Sequence, residues 1–251
     1  MGALVEQVME LYGIWHLLRA RSVGPNVLRP ALERCAASAQ RNMRHIAQLE
    51  STLAAPLVSV GHEIAGALHS TLTDVHRSCV GAAGTKLFAK ARLAIETTLL
   101  RLGGELEQLR ELLAALMAAS DAVHVGLRCS DLLGERFTTP PIFVNTTVLL
   151  RLKLRTQRML EGDPRILWLM LESGVKRLVD RGVESPMIEV GDHEESCRIT
   201  LRASEDAELG VDAVALDFGR LFDLERDCVA AISAHLGVMF DESADQISIC
   251  P

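Results

Sequence analysis

A chain of 251 residues can bury one large core or two modest ones. Its residues are 49% hydrophobic and 24% charged, which describes a core-forming chain and excludes a disordered one. A net charge of -7 and an aromatic content of 4% argue against a basic nucleic-acid face or a stacking platform for single strands, so no nucleic-acid partner is expected.

No apolar run reaches the roughly 20 residues of a membrane-spanning helix. Glu6 and Glu10 stand where a signal peptide would carry positive charge, so a cytoplasmic chain without a membrane span is expected. Cys35, Cys79, Cys129, Cys197, Cys228 and Cys250 are scattered, with no CxxC and no His at ligand spacing. Buried free thiols are the simple reading, with neither a metal nor a cofactor.

Near residue 125 the pattern changes. Residues 1–38 are an N-terminal helical segment, beginning with a helix from Val5 to Arg21 that stops at Val23-Gly24-Pro25. A second helical stretch starts at Pro30 and breaks around Pro56, where an interior proline removes a hydrogen bond. Ile64, Leu68, Leu72 and Val75 then recur at threes and fours, the mark of one buried stripe. Gly81 to Gly84 reads as a turn. Beyond it Leu99, Leu102, Leu106, Leu109, Leu113 and Leu116 continue a heptad-like seam, weakened at Gly103-Gly104. Residues 39–125 therefore read as a long antiparallel helical hairpin, completed to a four-helix bundle by a second copy, which implies a homodimer.

Residues 126–251 mix strands and helices. Ile142 to Leu154 contains a strand or strand–helix junction, and Asp163-Pro164 starts a helix that runs to about Val179. Met187–Val190, Cys197–Ala203, Val211–Leu216 and Gln246–Cys250 read as strands, and Asp223–Leu236 as a helix stopped by Gly237. Asp192-His193-Glu194-Glu195 reads as a hairpin turn. The fold class is thus α+β, a helical hairpin followed by an α/β layered domain.

Within the hairpin, His62-Glu63-Ile64-Ala65-Gly66-Ala67-Leu68 resembles the H-box of sensor histidine kinases, although Ala67 replaces a proline often found there. The following domain resembles the kinase ATP-binding domain in order, with Gly162-Asp163-Pro164-Arg165-Ile166-Leu167 opening its N-box helix. The departures fall on the nucleotide machinery. The magnesium-ligating Asn of the N-box is expected at Gly174. Ala203, Glu205 and Ala207 stand where Asp-x-Gly-x-Gly belongs, and Phe218-Gly219-Arg220 supplies one glycine for the lid. Autokinase activity is not expected. A histidine-bearing hairpin joined to a degenerate ATPase-like domain resembles the histidine phosphotransferases of bacterial phosphorelays. That resemblance implies response-regulator receiver domains as partners, His62 as the phosphoacceptor, Glu63 as its adjacent acid, and no use of ATP.

With Val60 and Ile64 inward, residue 62 lies about 200° from each and therefore faces outward. His69 and His76 follow at seven-residue spacing, share that outer face and are rival acceptors. About 10 Å separates successive members of the column, too far for one metal ion. Asp217-Phe218-Gly219 stands alone among protein-kinase motifs, and no Gly-x-Ser-x-Gly elbow supports a hydrolase. The alternative function is a non-catalytic dimeric adaptor with the same architecture.

Overall fold

The computed structural model describes residues 2–20, 23–49, 53–85, 88–121, 126–127, 146–156, 160–193, 196–203, 211–216, 221–243 and 246–250. They divide into two compact units: residues 1–53 with 61–113, and residues 54–60 with 114–251.

The first unit draws on four helices: α1 (Gly2–Arg19), α2 (Pro25–Leu49), α3 (Val58–Gly84) and α4 (Phe88–Asp121). Buried polar contacts fix α1 antiparallel to α2. Asn42 donates to the Ala3 carbonyl at 3.2 Å, and the Gln7 amide donates to Cys35 Sγ at 3.1 Å while accepting from Asn42 at 3.2 Å. Between α2 and α3, the Thr73 hydroxyl meets Met43 Sδ at 3.2 Å. The Cys79 and Cys35 thiols are free and hydrogen-bonded to each other, and that hydrogen bond together with burial pushes the Cys35 thiol up, so the pair serves as packing groups. Arg92 on α4 reaches the end of α1. Its guanidinium donates to the carbonyls of Leu17, Leu18, Ala20 and Val23 at 2.7–3.1 Å. These include carbonyls that a helix C-terminus leaves without partners.

Burial of the expected seam is met within one chain. Ile64, Leu68, Leu72, Leu99, Leu102 and Leu106 are fully buried in a single chain, with α1 and α2 contributing Leu11, Leu18, Leu28 and Leu32 to the same core. The seam needs no second copy for its burial, because the N-terminal residues supply the other two helices. Two boundaries also move. Helix α2 begins at Pro25, where the missing proline amide costs nothing in the first turn, and carries Pro30 within it. Helix α3 runs through Gly81–Gly84, the expected turn, because Thr85 closes its end: its amide donates to the Ala82 carbonyl and its hydroxyl to the Gly81 carbonyl.

In the second unit a 3₁₀ turn (Ala55–Leu57) precedes α3, with Pro56 at the helix-starting position rather than in a helix interior. The remaining elements are β1 (Gly126–Leu127), β2 (Thr146–Leu154), β3 (Leu160–Glu161), α5 (Pro164–Asp180), β4 (Pro186–His193), β5 (Ser196–Ala203), β6 (Val211–Leu216), α6 (Phe222–Leu236), β7 (Met239–Glu242) and β8 (Gln246–Cys250). Six strands form one sheet in the order β6-β2-β4-β5-β8-β7, parallel only between β2 and β4, where α5 lies in the connection. Strands β1 and β3 pair separately.

Alternation along β5 decides which sheet face is covered. Cys197, Ile199 and Leu201 are buried, while Arg198, Thr200 and Arg202 between them are half-buried. Register then aligns Val190, Ile199 and Ile249 in one row, and Ile188, Leu201 and Ile247 in the next. Helix α5 packs on that apolar face, and α6 buries Cys228, Val229 and Ile232. The start of α5 follows from Asp163, which accepts from the Arg165 amide at 2.9 Å as N-cap. Gly237, at φ 71°, ends α6 in the left-handed conformation that glycine adopts without strain.

Candidate functional site

His62 is the fifth residue of α3 and is exposed, as is Glu63. The two motif positions that should face inward do so: Ile64 and Leu68 are both 0% exposed. Gly61 is buried immediately before the histidine, and a Cβ there would overlap Leu53 Cδ1, so Leu53 packs directly on this turn of α3. One turn beyond His62, Gly66 is exposed, and a Cβ there would meet nothing within 4 Å. The imidazole thus stands on an open helix surface with a small residue beside it. Successive helical residues point about 100° apart, so Glu63 flanks His62 around the helix instead of stacking along it.

The three-histidine column does not persist. His69 is exposed, but His76 is half-buried with Nδ1 3.0 Å from the Ala36 carbonyl of α2. A carbonyl only accepts, so that nitrogen carries the proton, and the ring is a helix–helix link. Seven residues fall about 20° short of two full turns, and by His76 the drift has carried the column under α2. Among the described residues no group of His, Cys, Asp and Glu is placed to hold a metal ion. The described residues also contain no helix long and apolar enough to cross a membrane.

On α5 the structure gives Gly174 a role different from that of a substituted metal ligand. A Cβ at Gly174 would overlap Leu201 Cδ1 and lie 3.6 Å from Ile247 Cγ2, so this position faces the sheet and is filled by β5 and β8. An Asn side chain has no room there. Ala203 is exposed at the end of β5, whereas Glu205, Ala207, Glu194-Glu195 and Asp217 to Arg220 lie outside the described residues.

One buried charge cluster was missed in the sequence. Lys176 Nζ lies 2.7 Å from Glu225 Oε2 and 3.0 Å from Glu172 Oε1, and Trp168 Nε1 donates to Glu172 at 2.9 Å. Burial disfavours the lysine's charge, but the attraction and hydrogen bonds of the two carboxylates outweigh it and raise the Lys176 pKa. The i, i+4 spacing of Glu172 and Lys176 was visible; the arrival of Glu225 from α6 was not.

No family model matches this chain, and no curated protein matches it. Among solved structures it is similar to the Acinetobacter baumannii histidine kinase AdeS, at 13% sequence identity and a TM-score of 0.38, over 75% of this chain and 96% of that one. An overlap this loose fixes neither a shared fold nor an activity.

Proposed function

We propose that this chain is a histidine phosphotransferase of a two-component phosphorelay, with His62 as phosphoacceptor and Glu63 as the acid that orients its ring. One observation carries the reading. His62 stands exposed on α3 while Ile64 and Leu68 of the same motif are buried, so the packing side and the reactive side of the segment are separated. In the forward step a neutral ring nitrogen attacks the phosphorus of an aspartyl phosphate on a receiver domain. The N–P bond forms as the O–P bond breaks, the aspartate leaves as carboxylate, and the other ring nitrogen gives up its proton to solvent or to Glu63. The reverse step on a second receiver returns the phosphoryl group to aspartate. The receiver brings the magnesium and the acidic pocket, so this chain supplies neither metal nor nucleotide.

The test is transfer of labelled phosphoryl from a panel of phosphorylated receiver domains to the wild type and to His62→Gln. Acid-labile label on the wild type that disappears in the variant supports the proposal. Label that survives in His62→Gln moves the acceptor to His69. With no label from any receiver, the dimeric adaptor becomes the better account.

A further inference from the structure

Positive charge is concentrated on α2. The helix carries Arg29, Arg34, Arg41 and Arg44 against Glu33 alone, in a chain whose net charge is -7. Arg29 is used at the N-terminal end, where it donates to the Thr85 carbonyl. Arg34 has Glu33 beside it and, from α1, half-buried Glu10, which also acts on the neighbouring Cys35 thiol. Arg41, Arg44 and His45 differ. All three are exposed, and among the described residues none of their side chains makes a hydrogen bond or an ion pair. The antiparallel contact of Asn42 with Ala3 puts the uncharged start of α1 at their level, with exposed Glu6 as its nearest carboxylate. On α3 the nearest is Asp74, already paired with Arg77 at 3.0 Å. The last turns of α2 therefore keep positive charge that their described neighbours do not pair.

That end of α2 lies beside the candidate phosphoacceptor. His76 Nδ1 stands 3.0 Å from the Ala36 carbonyl and the Thr73 hydroxyl 3.2 Å from Met43 Sδ, so α2 runs antiparallel to α3 and approaches His62 as it ends. At about 1.5 Å per residue, Arg44 is roughly 9–15 Å from His62 along the helix axes. His62 also points to the side of α3 on which α2 packs, since the column drifts by only about 40° before His76 lies under α2. Between the cations and His62 the surface of α3 is Gly66, His69 and Ser70, all exposed. A domain of about 100 residues has a radius of gyration of about 13 Å, so one seated over His62 reaches both arginines.

We infer that Arg41 and Arg44, with His45, form a docking patch for the acidic face of the phosphorylated receiver domain that delivers to His62. The inference rests on the phosphotransfer reading for the identity of its partner. Charge complementarity selects that occupant. An aspartyl phosphate set among carboxylates stays anionic with one magnesium bound, and exposed arginines beside the acceptor steer and hold such a surface. Polyanions fit less well, because nucleic acid is bound through roughly 6–10 phosphate contacts and an anionic membrane through clusters of about 4–8 cations. Arg41 and Arg44 are positioning residues and touch neither the ring nor the phosphorus.

The experiment compares the full-length wild type with Arg41→Gln/Arg44→Gln and with Lys90→Glu. Both variants lower the net charge by two, but Lys90 is exposed near the start of α4, at the far end of the hairpin. Transfer from the panel of phosphorylated receivers is followed against receiver concentration, and binding of the same receivers, loaded with magnesium and beryllofluoride, is followed by calorimetry. At low salt the double variant should lose about tenfold in kcat/KM and in affinity while kcat stays within about twofold, and Lys90→Glu should match wild type. At about 0.5 M salt the difference should close, because screening then acts within a few ångströms. Transfer and binding unchanged in the double variant would overturn the patch and leave phosphotransfer standing. If no receiver transfers but one binds, and binds less well to the double variant, phosphotransfer fails and the patch stands. Equal losses in Lys90→Glu, or no receiver bound at all, would overturn the patch. So would binding to a DNA duplex or to phosphatidylglycerol vesicles that falls in the double variant while receivers bind unchanged.

Discussion

Gly174→Asn places at this position the residue that a nucleotide-binding N-box would carry, and the packing forecasts damage instead of gained function. The new Cβ overlaps Leu201 Cδ1 and touches Ile247, so side chains of β5 and β8 must move. Overpacking of this kind costs roughly 1–3 kcal/mol. The amide also enters the apolar row of Leu201 and Ile247, both 0% exposed, and leaving it unpaired adds about 1–3 kcal/mol. Replacing glycine within a helix returns only about 0.3 kcal/mol for Asn. The net loss is therefore roughly 2–6 kcal/mol. With a urea slope of about 2 kcal/mol/M, the midpoint should fall by roughly 1–3 M. Trp168, buried on the same helix, reports the transition by fluorescence. The control is Gly66→Ala on α3, where a methyl meets nothing and helix propensity alone should stabilise by up to about 1 kcal/mol. A Gly174→Asn protein as stable as wild type, or one that binds ATP in a calorimeter, would refute this placement of α5.

Arg92→Ala removes the donor that holds four carbonyls around the end of α1 and should cost about 1.5–3 kcal/mol, seen as faster amide exchange in the last turn of α1. Unchanged exchange there would remove Arg92 as the clasp. Lys176→Met leaves Glu172 and Glu225 buried without their cation and should destabilise by about 3–5 kcal/mol in thermal or urea unfolding. Because the folded Lys176 pKa is raised, its contribution is complete below the unfolded value of about 10.4 and is lost as pH rises through the folded value. Wild type should therefore lose stability in alkali relative to Lys176→Met, and parallel pH profiles would count against the triad. Asp163→Ala removes the N-cap of α5 and should cost about 1 kcal/mol at neutral pH. Hydrogen bonding from Arg165 lowers the Asp163 pKa, so its contribution is present above about pH 4 and disappears as pH falls through the folded value. A deficit that stays constant down to pH 2 would contradict that.

Local rules made most of the second unit legible. Asp163-Pro164, the alternation of Cys197 to Ala203 and the glycine after Leu236 are signals whose physics lies within a few residues, and the corresponding elements begin and end within a few residues of the expected places. Short strand β7 escaped notice because Met239–Glu242 has no alternation of its own and is held through pairing with β8. The first unit was less legible for a different reason. Periodicity identifies which face of a helix is buried, but it does not identify the covering element. An apolar seam on α3 and α4 is satisfied equally by a second copy or by α1 and α2, and only long-range contacts such as His76 with Ala36 and Arg92 with Leu18 distinguish the two. At the candidate site, the outward direction of His62 followed from its spacing to Ile64. His76 could not be separated from it, because a drift of about 40° over two heptads matters only once the position of α2 is known. Gly174 was read by alignment to a motif, whereas its neighbours across the sheet, Leu201 and Ile247, decide its role.

Phosphorus NMR of the protein after incubation with a phosphorylated receiver domain tests the central claim most directly. A phosphoramidate resonance should appear with wild type, His69→Gln and His76→Gln, be lost on acidification, and be missing from His62→Gln alone. A resonance that persists in His62→Gln, or one that vanishes with His69→Gln instead, would contradict the assignment of His62 as the phosphoacceptor.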